Sequence, residues 1–173
     1  MKVVRPRGEQ TACSGPVNVE LLLLGVAGNE LTFRVRSVRL AADGCPDPVA
    51  RALAGFDGAT PSGALIHSTS WRAQHHGVVL TYAALPDPSP AGARLLSPVA
   101  GIVGSTDLLA PSPAVIGHAN VAAHACRHLA FLRQTDPAVA AAAAELPAIW
   151  SHIDSFLTLV TTHADSAVVS VPS

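Results

Sequence analysis

The stretch Ala64–Leu85, ALIHSTSWRAQHHGVVLTYAAL, decides how this chain reads: two strand-like runs flank Gln74-His75-His76-Gly77. Two such runs of β-branched, aromatic and aliphatic residues joined by a short polar turn predict a β-hairpin. With side chains alternating along the first strand, Leu65, His67, Thr69 and Trp71 are expected on one face, and Ile66, Ser68, Ser70 and Arg72 on the other. An imidazole, a hydroxyl and an indole on one face can line a pocket, the ring stacking a planar ligand and the others bonding to it. The same alternation also arises when one face of an antiparallel sheet is simply solvated.

N-terminal to the hairpin, Val17–Val26 and Leu31–Leu40 are rich in branched aliphatics and are separated by Ala27-Gly28-Asn29-Glu30, a second turn signal. In the later run Leu31, Phe33 and Val35 share a face, and the apolar phase then switches to Val38 and Leu40, which predicts a bulge near Ser37. Asp47-Pro48 reads as an N-cap followed by a first-turn proline, and Gly55 as the stop, giving a short helix over Pro48–Ala54.

C-terminal to the hairpin, the Pro, Ser and Gly content of Leu85–Pro98 marks the change from strand-like to helix-like sequence. A final short strand is expected at Val99–Val103. Ser112-Pro113 opens a helix running to Arg133, Asp136-Pro137 opens another, and Pro147–His163 reads as the last. Val121, Ala125, Leu129 and Leu132 form one apolar helix face, and Ile149, Ile153, Phe156, Leu157 and Val160 form a second. These faces suit core packing or, with the Ala140–Ala144 run beside them, a helix-mediated dimer.

The reading is therefore an α+β chain: a loose arm over 1–16, a single domain over 17–165 and a tail over 166–173. Its sheet part covers 17–104, a mixed or antiparallel sheet with one short helix, and its helical part covers 112–164 with about three helices. A length of 173 residues is enough to bury roughly 70% of the surface the unfolded chain exposes. Only 13% of residues are charged while 49% are hydrophobic, against about 25% charged in an average domain. Spare apolar surface is expected to be buried in a homo-oligomer, a dimer through the C-terminal helices.

The formal net charge of −1 provides no broad positive field, so neither nucleic acid nor an anionic membrane is an expected partner. Three scattered cysteines, Cys13, Cys45 and Cys126, form neither a disulfide framework nor a Cys-only metal site. The uncharged stretch Leu108–Cys126 is interrupted by Pro111, Pro113, His118 and Asn120, and Glu20 sits within the first apolar run. Neither a spanning helix nor a leader is expected, which predicts a soluble, cytoplasmic protein.

Chemistry-bearing residues are few. Arg34 and Arg36, with Arg39, make a basic stripe that suits a phosphate or carboxylate, or a solvated strand face. His124 and His128 stand one helical turn apart and can share a metal ion, but no acidic residue accompanies them, and a third ligand would have to come from His67, His75, His76 or His152. There is no Gly-x-Ser-x-Gly elbow, and the glutamates Glu9, Glu20, Glu30 and Glu145 are far apart.

The order of two strands, a short helix and a strand ending VVLTYAAL before Pro86-Asp87-Pro88 resembles the core of the Nudix fold over roughly residues 17–88. That resemblance implies a sheet with LTYAAL as a central strand. In Nudix hydrolases a glutamate-bearing helix holds Mg²⁺, yet PVARALA at 48–54 has no carboxylate, so a degenerate core without the hydrolase activity is implied. The expected role is a non-catalytic small-molecule-binding or protein-interaction domain using His67, Thr69, Trp71, Arg72, Arg34 and Arg36, with no cofactor. A metal-dependent enzyme built on His124 and His128, and a structural homo-oligomer, are the alternatives.

Overall fold

A computed structural model of the chain describes residues 15–58, 60–74, 77–98, 109 and 115–165. Strands β1 (Val17–Ala27) and β2 (Glu30–Arg39) form a hairpin whose turn uses Gly28 at φ +62°, a conformation natural to glycine. Helix α1 (Pro46–Ala54) follows, then the hairpin β3 (Leu65–Gln74) and β4 (Gly77–Leu85). A two-residue strand, β5 (Arg94–Leu95), precedes three helices: α2 (His118–Thr135), α3 (Pro137–Ala144) and α4 (Pro147–Asp165). Sheet then helices is the α+β arrangement read from the sequence.

The five strands lie in the order β3-β4-β1-β2-β5, with β1 and β4 parallel and every other pair antiparallel. β1 is central, and this explains its almost unbroken apolar sequence. Val19, Leu21 and Leu23 pack with Ala50, Ala54 and Phe56 on the α1 side, whereas Leu22 and Leu24 face the C-terminal helices. The second core joins Phe33 and Leu85 to Leu129, Trp150, Ile153 and Phe156. Ile149, Ile153 and Phe156, offered by the sequence either to the core or to a dimer partner, are thus buried within the chain itself.

Several local expectations are corrected. β1 and β2 pair without a register shift from Asn18–Arg39 to Ala27–Glu30, so there is no bulge at Ser37. The end of β2 is solvent-exposed, with Val38 at 41%, and its apolar residues need not return to one buried face. α1 starts at Pro46 with Cys45 as its N-cap, so Asp47 lies inside the first turn; Gly55 ends the helix in the left-handed conformation as anticipated. α2 starts at His118 rather than at residue 113: the Gly117 N–H donates to the Asn120 side chain at 3.0 Å, and residues 115–117 are not helical. The Val99–Val103 strand and Ser112-Pro113 lie outside the described residues. Asp136 caps α3 as read, accepting from the N–H groups of Ala138 and Val139.

Gly63 carries the loop between α1 and β3 past the α3–α4 junction at φ +70°. A Cβ there would stand 2.7 Å from Glu145 Cβ and 2.8 Å from the Ala142 carbonyl oxygen. Gly63→Ala is expected to cost about 1–3 kcal/mol through strain and overpacking, read as a lowered urea midpoint with an unchanged m-value.

Candidate functional site

The polar residues of the β3–β4 hairpin are positioned by one irregularity. Between Ser68 and Ser70 the β3–β4 register shifts by a bulge at Thr69, whose hydroxyl donates to the Thr81 carbonyl at 3.3 Å. The extra residue reverses the alternation. Leu65 and His67, opposite Leu85 and Ala83, share the helix-covered face with Ser70 and Arg72, opposite Thr81 and Val79; Trp71 pairs with Leu80 on the other face and is 71% exposed. The predicted wall of His67, Thr69 and Trp71 is therefore not formed.

On the helix-covered face Arg72 reaches across β4 to Glu20 of β1. Its guanidinium donates at 2.9 Å to Oε1 and 2.8 Å to Oε2 of Glu20, and at 2.9 Å to the Thr81 hydroxyl. Glu20 is 3% exposed, and its Oε2 also lies 3.3 Å from Nε2 of His118 at the start of α2. A carboxylate this deep is tolerated because a planar bidentate cation and a hydroxyl occupy its lone pairs. The group locks β3, β4, β1 and α2 together.

Two residues of the basic stripe of β2, Arg34 and Arg36, are likewise bound to internal partners, whereas Arg39 is exposed. Arg34 makes a bidentate pair with Asp87, at 2.8 Å through Nε and 2.5 Å through Nη2. Asp87 packs where Gly25 leaves room, since a Cβ at that glycine would meet the Asp87 Cβ at 3.1 Å. Arg36 donates to the Leu53 carbonyl at 2.6 Å, capping the last turn of α1. Of the six residues proposed from sequence to meet a ligand, Thr69, Arg72, Arg34 and Arg36 have structural partners, and Trp71 is exposed on the α1 side of the sheet.

His67 is the exception. Because β3 is an edge strand, its ring meets α2 at the rim of the sheet, with Nε2 3.2 Å from Nε2 of His128 and the ring planes 27° apart. Partial burial, then the neighbouring rings of His67 and His124, hold His128 below the ordinary imidazole range. His124 is held down by desolvation and then by Arg127, and lies on the exposed side of α2. Among the described residues no three His, Cys, Asp or Glu side chains converge as a metal cage. His152 lines a different cleft with Phe156 and Leu96, and His75 and His76 lie outside the described residues.

His67 also borders a cleft of about 580 Å³ on the α1 side of the sheet, lined by Asp47, Pro48, Arg51, Ile66, Ser68 and Tyr82. Here the Tyr82 hydroxyl donates to Asp47 Oδ1 at 2.6 Å. Burial first, and then that carboxylate, push the phenol above its ordinary range, so it remains a donor at neutral pH. Arg51, one turn along α1 from Asp47, forms no ion pair among the described residues, and the Ser68 side chain is exposed at the rim. No protein-family model and no curated protein matches the sequence.

The cleft residues Asp47, Arg51 and Tyr82 were not singled out by the sequence as a site. Asp47 read as a cap, although a lone Tyr inside the run VVLTYAAL was a usable signal, because a buried phenol needs a polar partner. Cys126 is fully buried in the helical core, which pushes its thiol up and leaves it unreactive, while Cys45 is exposed.

Proposed function

We propose that this domain binds a small molecule bearing an acidic group in the cleft between α1 and the β3–β4 hairpin. The observation that carries this reading is Arg51, a cation without an ionic partner among the described residues, facing the same space as Ser68 and Tyr82. A carboxylate or phosphate on the ligand would pair with the guanidinium, the serine hydroxyl would supply a further bond, and Ile66 with the Tyr82 ring would cover an apolar portion. Concave space with a few convergent polar groups is the ordinary form of such sites.

The reading is of a binding domain and not of a hydrolase. The resemblance of residues 17–88 to a Nudix core belongs to the same proposal, with the chemistry of the donors setting its limit. Asp47 is the only carboxylate in α1, and it accepts the Tyr82 hydroxyl. A hard divalent cation requires several oxygen ligands together, and this helix does not supply them. Mg²⁺-dependent cleavage of diphosphates is accordingly not expected.

A thermal-shift screen of carboxylated and phosphorylated metabolites tests the site. A true ligand at about 100 times its Kd should add about 2.7 kcal/mol to the stability of the native state, raising Tm by about 5–10 °C in a domain of this size. Arg51→Ala should abolish the shift while leaving the unliganded Tm within about 1–2 °C, because the side chain is exposed and forms no ion pair among the described residues. A shift that survives in the Arg51→Ala protein would locate binding elsewhere.

A further inference from the structure

The contact between His67 and His128 is unusual in its geometry. Two imidazoles facing one another through Nε2 at 3.2 Å, with ring centroids 5.2 Å apart, place two strong nitrogen donors almost tip to tip. Either one ring donates its N–H to the other, or both lone pairs are directed at a third atom. Two nitrogens bound at about 2.0–2.1 Å to a tetrahedral ion stand about 3.3 Å apart. The observed spacing is that of a chelating pair without any rearrangement of backbone. The donors also come from different elements, the edge strand β3 and helix α2, so an ion held between them would cross-link the sheet to the helical layer.

We infer that His67 and His128 form a two-nitrogen site for a divalent transition-metal ion of the zinc, copper or nickel kind, at the rim of the sheet beside the α1-side cleft. Imidazole donors without accompanying carboxylates select such borderline ions over Mg²⁺ or Ca²⁺. No third His, Cys, Asp or Glu converges on the pair among the described residues, so of those residues His67 and His128 alone would hold the ion, with water completing its coordination. Such an ion is held exchangeably. His124, one turn earlier on the exposed side of α2, is not required. This inference stands independently of the binding proposed for Arg51.

The test is a calorimetric titration of the chelator-stripped full chain with ZnCl₂ near neutral pH, repeated with MgCl₂. One Zn²⁺ per chain is expected, with Mg²⁺ giving no heat of binding. His67→Ala and His128→Ala should each weaken Zn²⁺ binding by about tenfold or more, while His124→Ala and His152→Ala leave it within about twofold. His128→Gln provides a polar replacement should the alanine variant fail to fold, and circular dichroism of each variant verifies its helix content. No stoichiometric Zn²⁺ binding, or binding that survives in the His67→Ala, His128→Ala double variant, would overturn the site. Dependence on His124 but not on His67 would do the same, because the ion would then sit on the helix alone.

Discussion

Replacing Arg72 with Met is expected to destabilise the domain by about 3–5 kcal/mol, a large part of the whole stability of an ordinary domain. The loss does not come from a missing surface attraction. Glu20 is 3% exposed, and after the substitution its carboxylate would keep, among the described residues, only Thr81 and His118, at 3.4 Å and 3.3 Å. A buried charge stripped of its bidentate partner cannot recover water without opening the β1–β4–β3 side of the sheet. The double variant Glu20→Leu, Arg72→Met removes both charges and should recover most of the loss, giving a coupling energy of several kcal/mol in a double-mutant cycle. Equilibrium urea unfolding of the four proteins measures it. A cost below about 1 kcal/mol for Arg72→Met alone would mean that the pair behaves like an exposed one.

The second large effect is expected at Trp150, the bulkiest fully buried side chain, which joins α4 to the remaining core. Trp150→Ala should cost about 3–5 kcal/mol by leaving a cavity that the surrounding residues cannot close, lowering Tm by about 10 °C or more. Trp150→Phe should be far milder for a specific reason. The indole Nε1 is buried and has no hydrogen-bond partner among the described residues, so the native state already carries a desolvation penalty of about 1–3 kcal/mol, which phenylalanine removes while retaining most of the volume. Arg133, whose guanidinium lies 5.9 Å from the Trp150 ring centroid and which pairs with Asp154, stays in place in both variants. Differential scanning calorimetry separates the two outcomes; equal losses for alanine and phenylalanine would assign the effect to the N–H or the ring edge and not to packed volume.

What the sequence disclosed follows the range of the forces involved. The cap at Asp136, the turn at Gly28 and the stop at Gly55 are local, and they were legible because the responsible residues are neighbours. The bulge at Thr69 was not. His67-Ser68-Thr69-Ser70 contains no apolar contrast from which a change of phase can be read, and one added residue transfers Arg72 to the face of His67 and removes Trp71 from it. Glu20 looked merely like a charge inside an apolar run; its meaning depends on the parallel register that sets it beside Thr81, and hence beside Ser70 and Arg72. The α1-side cleft has the same origin. Asp47 and Tyr82 are 35 positions apart, and no periodicity within either segment indicates that they meet.

The two tryptophans give this chain a built-in optical contrast. Trp71 stands in water on β3, whereas Trp150 is sealed inside the helical layer. Native emission is therefore the sum of a long-wavelength and a short-wavelength component, and an aqueous quencher reaches only the former. Loss of structure shifts the colour of Trp150 alone, while an occupant settling over the outer side of the hairpin would dim or move Trp71 and leave its counterpart untouched. A single spectrum can thus report separately on the integrity of the interior and on events at the surface.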